Sequence, residues 1–326
     1  MRFYGNEICC ASYACLNTIE DKSIPLSLFE LTTGVPFGVC HAGNEHFDRI
    51  LTTYKDPNKG IDHALTLWGY SACRADCQTS YQAVRIIKEW LYHFNRVIVG
   101  PLDMGKLPYY PMASLLQHMD HYIVLRPWSS ECVLCIDSEG WVGYPLTYQS
   151  LINCLVVDDI PESCGNITIR HVVKMHDWNI GDIVDASILI IRDNLLSAEQ
   201  EGAGAQAFLD SLEYLNARPR YRWKLPLMYD IQYLKQRKQL FLWYVGILCT
   251  ESSKLSDVFQ IIYDILLEQN HQLANLYLSI TQGTEIAPFF YNLFSLEKEL
   301  AQRWGDAFID FHTCSVKPDI IKRFRE

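Results

Sequence analysis

Apolar and polar positions change their spacing along the chain, and this change divides it into two parts. In the first 165 residues helical and strand-like patterns both occur, whereas from about residue 182 nearly every segment repeats its apolar positions with a helical period. We therefore predict an α+β domain over residues 1–165 and a mostly helical domain over residues 166–326.

The spacing also predicts individual elements. In the first part, the pattern favours helices at 10–19, 27–31, 62–70 and 81–94, and β-branched runs favour strands at 96–100, 121–125 and 132–136. A further strand is predicted at 166–174, directly after this part. In the second part, helices are predicted at 182–199, 205–216, 226–250, 255–278 and 286–309. The predicted architecture is an early helix that packs on a later antiparallel sheet, followed by a helical domain.

Charge and hydropathy exclude several classes of function. The 326 residues carry a net charge of −10, and 28 Lys and Arg against 38 Asp and Glu leave no basic stripe for nucleic acid. The longest apolar run, 240–249, is about half the length of a membrane span, and the first residues lack the basic start and apolar core of a signal peptide. We therefore expect a cytoplasmic protein that binds neither nucleic acid nor membrane. The sequence does not determine whether it forms a homodimer.

The 12 cysteines do not predict a metal site. The pairs Cys73/Cys77 and Cys132/Cys135 have the spacing of zinc half-sites, but neither is followed by a second pair at the distance of a zinc ribbon. Irregular spacing without a secretion signal fits reduced thiols. We predict no metal and no resident cofactor.

One cysteine stands where a nucleophile would be placed. In the segment GNEICCASYACLN, Cys10 opens a predicted helix, and the positive end of the helix dipole favours the thiolate that attacks carbonyl groups. Cys9 is a rival, but neighbouring helical residues point about 100° apart, so only one of the two thiols can face a cleft. The small residues that follow favour Cys10.

A base and an orienting acid follow later in the chain. His121 opens the strand segment HYIVL, and Asp137 closes the next one, CVLCID. A short turn between the two strands would form an antiparallel hairpin that brings the imidazole beside the carboxylate. His118 is a rival base, but it precedes the strand. The order Cys, His, Asp is that of papain-like enzymes.

These segments carry a resemblance. CASYA, VIVGPLDMGKLPYYP (97–111) and HYIVL with CVLCID resemble the N-terminal domain of the butirosin biosynthesis protein H family and, more distantly, the bacteriocin-processing cysteine peptidases. The resemblance covers residues 4–145, and beyond them it is only architectural. It implies a papain-like cysteine-protease fold followed by a helical domain.

The resemblance also implies roles for residues. Cys10 would be the nucleophile, His121 the base and Asp137 the orienting acid of an acyltransferase in antibiotic or peptide biosynthesis. Such an enzyme takes an acyl or aminoacyl group from a phosphopantetheine-linked or coenzyme A thioester, with an acyl carrier protein as partner and a small-molecule amine as acceptor. Asp103 matches an acidic position of the family.

Four residues complete the predicted site. Papain-like enzymes often place a Gln before the cysteine to bind the oxyanion; this chain has none, and Asn6 is the candidate substitute, with the backbone N–H of Cys10 as second donor. Asp103, Tyr109 and Tyr110 are candidate substrate contacts, although a turn residue and packing aromatics are the alternative interpretation.

Two other functions remain open. A cysteine peptidase, amidase or thioesterase would use the same triad if water reached the acyl-enzyme, and a non-catalytic binding protein could keep the fold without the chemistry.

Overall fold

A computed structural model describes residues 9–19, 21–43, 49–110, 113, 116–138, 141–155, 160, 166–251 and 256–311. It is a mixed α+β structure with antiparallel sheets, as predicted, and it divides into two compact units. Unit 1 comprises residues 1–26 and 57–177, and unit 2 comprises residues 27–56 and 178–326.

Unit 1 contains a six-stranded sheet with helices packed on it. Its elements are α1 (Cys10–Thr18), α3 (Pro57–Leu67), β3 (Tyr70–Cys77), α4 (Ser80–His93), β4 (Val97–Asp103), a short 3₁₀ helix (Met104–Lys106), β5 (Asp120–Pro127), β6 (Cys132–Ile136), β7 (Val142–Thr147), α5 (Tyr148–Cys154) and β8 (Ile167–Lys174). The strand order is β3-β8-β4-β5-β6-β7, and every neighbouring pair is antiparallel.

The middle of this sheet forms the core of unit 1. All seven residues of β4 are buried, and so are five consecutive residues of β5, His121 to Leu125. Helix α1 contacts both strands. Its residues from Ser12 to Asn17 are all buried, because small side chains at Ala11, Ser12 and Ala14 let the helix lie close to the strands. The predicted packing of the first helix on the sheet is confirmed.

Unit 2 is mostly helical. Its elements are α2 (Leu26–Thr33), the two-stranded hairpin β1 (Val39–His41) and β2 (Leu51–Thr53), and the helices α6 (Ile180–Gln200), α7 (Gln206–Asn216), α8 (Arg220–Glu251), α9 (Ser256–Gln282) and α10 (Ala287–Phe311). The five helices predicted after residue 182 are confirmed. The hairpin was not predicted.

The two units do not divide at the predicted boundary between residues 165 and 166. Strand β8 lies inside the sheet of unit 1, between β3 and β4. Residues 27–56 pack in the helical unit, where Asp230 of α8 accepts a hydrogen bond from Arg49 Nε at 2.6 Å and others from the backbone N–H groups of Ile50 and Leu51 at 2.8 and 3.0 Å. These contacts join residues about 180 positions apart, which local periodicity does not reveal.

None of the helices among the described residues is both long and apolar enough to span a bilayer.

Candidate active site

Cys10 begins helix α1 in unit 1. Cys9 precedes the helix and is buried, with 4% of its surface exposed, whereas Cys10 is only partly buried. The side chain of His121 lies close enough to the thiol of Cys10 to lower its pKa through hydrogen bonding and charge. Of the two neighbouring cysteines, it is therefore Cys10 that meets the imidazole.

His121 and Asp137 lie on one face of the β5–β6 hairpin. The last pair of the ladder, Val124 with Ile136, places Asp137 opposite Ile123 one step further on. His121 is two residues from Ile123 along β5 and so shares its face. Nε2 of His121 lies 2.9 Å from Oδ1 of Asp137, and both side chains are buried.

This contact fixes the arrangement of the imidazole. An ionised carboxylate only accepts hydrogen bonds, so Nε2 of His121 carries the proton that Asp137 accepts. Nδ1 is then the ring nitrogen left for the thiol of Cys10. The imidazole thus bridges the thiol and the carboxylate, and the structure brings together the three residues that the sequence analysis selected as a triad.

Burial and neighbouring charges shift the pKa values of His121 and Cys10 in opposite directions. Burial lowers the pKa of His121, but the charge of Asp137 and the hydrogen bonds to Asp137 and Cys10 raise it well above 6.5. Burial raises the pKa of Cys10 above 9.0, although the hydrogen bond and charge of His121 act to lower it. Burial therefore opposes the thiolate that we expected at a helix terminus. The thiol and the imidazole therefore titrate as a coupled pair, and the pKa of each lies above its ordinary value.

Backbone groups also face the sulfur. The backbone N–H of Tyr122 donates a hydrogen bond to Cys10 and lowers the pKa of its thiol. The N–H of Cys10 itself belongs to the first turn of α1, where amides have no partner within the helix. Sequence reasoning identified the second of these donors but not the first, because it depends on the approach of α1 to β5.

Tyr109 and Tyr110 both lie at the site. The hydroxyl of Tyr109 is 2.6 Å from Oδ2 of Asp137 and 3.3 Å from Sγ of Cys135. The ring of Tyr110 stands edge-on to that of His121, with 5.8 Å between their centroids. Both residues therefore touch the triad, although Tyr109 bonds to the acid and does not point away from it as a substrate contact would.

Asp103 is buried and bonds to the loop that follows β4. Its Oδ1 accepts hydrogen bonds from the backbone N–H groups of Gly105 at 2.9 Å and His118 at 3.1 Å, and its Oδ2 lies 3.2 Å from Nζ of Lys106. Asp103 thus caps the 3₁₀ helix and ties both ends of the loop that carries Tyr109. These contacts match the alternative interpretation, a turn residue.

The rival base and the oxyanion candidate complete the list of predicted residues. His118 lies in the loop before β5, and it is the ring of His121, not that of His118, that bonds Asp137. Asn6 lies outside the described residues.

Across the described part of the chain, no three or more His, Cys, Asp and Glu side chains cluster closely enough to hold a metal ion. Cys73 is exposed and Cys77 is buried on β3, and Cys135 is buried beside Tyr109.

Comparison with known proteins gives little information about this site. No model of a known protein family matches the chain. It is similar to the uncharacterized protein YobF of Bacillus subtilis (strain 168), with 28% identity over 166 residues. The match covers 50% of this chain and 53% of YobF, so the chain spans about half the length of that relative.

Proposed function

We propose that the protein is a cysteine-dependent acyltransferase, which moves an acyl or aminoacyl group from a thioester to an amine through an acyl-enzyme on Cys10. The observation that carries this proposal is the bridging position of His121. On one side of the ring lies the thiol of Cys10, whose pKa the imidazole lowers, and on the other side Nε2 lies 2.9 Å from Oδ1 of Asp137. Thiol, base and orienting acid in this order form the arrangement of nucleophilic catalysis.

The first half-reaction forms the acyl-enzyme. With the thiol proton on Nδ1 of His121, Sγ of Cys10 attacks the carbonyl carbon of the thioester, and a new carbon–sulfur bond forms. The bond to the donor sulfur breaks, and the leaving thiolate takes the proton from His121. The N–H of Cys10, at the start of α1, is positioned to stabilise the negative charge on the carbonyl oxygen.

The second half-reaction transfers the acyl group. An uncharged amino group of the acceptor attacks the same carbonyl carbon, and Nδ1 of His121 takes one proton from its nitrogen. The bond between the acyl carbon and Sγ of Cys10 breaks, and that proton returns to the sulfur. Asp137 stabilises the imidazolium in both halves without being protonated. No oxidant, metal or resident cofactor enters the balance.

The resemblance of the N-terminal segments to the butirosin biosynthesis protein H family suggests the donor and the acceptor. We propose a coenzyme A or phosphopantetheine thioester as donor, with an acyl carrier protein as partner, and a small cationic amine as acceptor. The acidic first part supports a cationic acceptor, because residues 1–165 hold 18 acidic and 11 basic residues. None of the ten described cysteines forms a disulfide, which fits a reducing compartment such as the cytoplasm.

We also propose that unit 1 has a papain-like fold. The support is that Cys10 begins a buried helix and that this helix packs on an antiparallel sheet. His121 lies on one strand of that sheet, and Asp137 directly follows the adjacent strand.

Product analysis tests the function. The full chain is incubated with a panel of acyl-coenzyme A thioesters, with and without primary amines that include an aminoglycoside, and the products are separated and weighed by mass spectrometry. We expect an amide that depends on the amine and on Cys10, so that Cys10→Ala forms none. Cys9→Ala is the matched control and keeps the activity.

Other outcomes would overturn the proposal. Release of free acid alone, even with amine present, identifies a hydrolase that uses the same triad. Consumption of thioester at the rate of the protein-free control, across the whole panel, identifies a binding protein without this chemistry.

A further inference from the structure

Tyr109 reaches the triad through its acid. Its side chain is buried, with 6% of the residue exposed, and its hydroxyl is 2.6 Å from Oδ2 of Asp137. Since the carboxylate accepts only, the phenol is the donor. The other oxygen of Asp137, Oδ1, accepts from Nε2 of His121. Each carboxylate oxygen of Asp137 thus accepts a hydrogen bond from a different residue. Together the two hydrogen bonds fix the rotation of the carboxylate about its Cβ–Cγ bond.

The phenol is itself held in place. Its ring packs against those of Tyr110, Trp141 and Tyr144, with centroid distances of 5.4, 5.8 and 4.7 Å. Its oxygen also lies 3.3 Å from Sγ of Cys135. A hydroxyl has one proton, and that of Tyr109 is donated to Asp137, so the thiol of Cys135 must be the donor in the second contact.

The protonation of these groups is consistent with that direction. Burial raises the pKa of Cys135, so its thiol keeps its proton. Burial and the neighbouring charge of Asp137 raise the pKa of Tyr109 well above 10.0, so the phenol also keeps its proton. Cys135 therefore donates a hydrogen bond to Tyr109, and Tyr109 donates one to Asp137. The other oxygen of Asp137 accepts a hydrogen bond from His121.

We propose that Tyr109 is a positioning residue, which holds the carboxylate of Asp137 in the rotation that faces His121 and thereby controls the basicity of that imidazole. The inference concerns the site of the proposed function, and it rests on the contacts of Asp137 with Tyr109 and with His121. It differs from the predicted role of Tyr109 as a substrate contact, because the one proton of its hydroxyl is donated to Asp137.

Tyr109→Phe tests the inference, since it removes the hydroxyl and keeps the ring. Tyr144→Phe is the matched control, because it removes a hydroxyl from the ring that packs against Tyr109. The pKa of His121 is measured by NMR titration of its ring nitrogens, and the alkylation of Cys10 by iodoacetamide is measured against pH.

In Tyr109→Phe we expect the pKa of His121 to fall toward 6.5, because the carboxylate is no longer held against the ring. Loss of a hydrogen bond to a charged group should slow alkylation of Cys10 at neutral pH by about tenfold or more. Its pH dependence should move to higher pH, since a less basic His121 stabilises the thiolate less. Tyr144→Phe should match the wild-type protein in each respect. An unchanged or higher pKa of His121 in folded Tyr109→Phe would overturn the inference.

A second measurement uses the wild-type protein in case Tyr109→Phe does not fold. The Cζ carbon of Tyr109, labelled with ¹³C, reports the hydrogen bond of its hydroxyl. We expect its resonance to shift as His121 titrates, because both groups bond one carboxylate. A resonance that stays fixed throughout the titration of His121 would show that the phenol and the imidazole are not coupled.

These measurements need no substrate, so they separate the two proposals. Coupling between Tyr109 and His121 without any acyl-enzyme would support the positioning role and overturn the transferase. Detection of an acyl-enzyme without coupling between Tyr109 and His121 would support the transferase and overturn the positioning role.

Discussion

Nε2 of His121 lies 2.9 Å from Oδ1 of Asp137, although the two residues are 16 positions apart. The β5–β6 hairpin produces this contact, because its register puts them on one face as diagonal neighbours. Helix α1 then places Cys10 against the other side of the ring. One helix terminus and one hairpin thus bring a thiol, an imidazole and a carboxylate together.

Replacement of the orienting acid should show what the carboxylate contributes. Asp137→Asn keeps the shape of the side chain but removes the charge that raises the pKa of His121. We expect the acyl-transfer rate to fall on the order of 10⁴-fold, as in a serine-protease triad changed in the same way. The control is Glu131→Gln, an exposed residue of the same hairpin. Steady-state kinetics would contradict the assignment if both variants kept the wild-type rate.

The reactivity of Cys10 should depend on pH in a defined direction. Burial raises the pKa of its thiol above 9.0, so the thiolate fraction is small at neutral pH and alkylation should accelerate as the pH rises. His121 opposes this rise, so His121→Ala should move the midpoint to still higher pH. The midpoint is measured by iodoacetamide labelling and peptide mapping.

His118→Ala is the control for that experiment, because His118 lies in the preceding loop and should leave the midpoint unchanged. A midpoint in His121→Ala equal to or below the wild-type value would show that the imidazole does not act on the thiol.

Gly100 should be intolerant of a side chain. A Cβ atom at this position would lie 2.3 Å from Cδ1 of Tyr122, the residue after His121. Gly100→Ala should therefore lower the free energy of unfolding by about 1–3 kcal/mol, as for other overpacked cores. Chemical denaturation measures the loss. In a Tyr122→Leu background the penalty should shrink, since the ring that clashes is gone; an equal penalty in both backgrounds would place the strain elsewhere.

In unit 2, the pair of Arg49 and Asp230 should be important for stability. Both side chains are buried, and Asp230→Ala would remove the acceptor of Arg49 Nε and of two backbone N–H groups. We expect a loss of about 3–5 kcal/mol in urea denaturation. Asp264→Ala, which changes an exposed carboxylate on α9, should stay within about 0.5 kcal/mol. Equal losses for the two variants would show that the ion pair is not needed.

The sequence predicts the long helices of this fold best. The segment 205–216 is observed as α7 (Gln206–Asn216), and 286–309 as α10 (Ala287–Phe311). In such helices the apolar period repeats over several turns, so the pattern is strong. Helix α8 begins six residues before the predicted 226. Proline favours the start of a helix, but Pro226 lies inside this one.

Short and irregular strands were missed for physical reasons. β1 and β2 have three residues each, too few to show an alternating pattern. β3 has the sequence YSACRADC, with no β-branched residue, and its place in the sheet depends on pairing with β8. β7 contains Pro145, which normally argues against a strand but is tolerated at the edge of the sheet.

The site was predictable where its contacts are local and not where they depend on tertiary packing. The hairpin that joins His121 to Asp137 follows from strand and turn signals. The hydrogen bond from Tyr109 to Asp137 and that from the backbone of Tyr122 to Cys10 link separate segments. No spacing rule in the sequence identifies either contact.

The central claim is that Cys10 is a nucleophile whose chemistry depends on His121, and trapping of the covalent intermediate tests it most directly. The protein is mixed with an acyl-coenzyme A thioester, quenched in acid within one turnover and digested for peptide mapping by mass spectrometry. We predict one acyl group on Cys10 in the wild-type protein and in Cys9→Ala, and almost none in His121→Ala. Acylation of Cys9 instead of Cys10, or equal acylation with and without His121, would contradict the account.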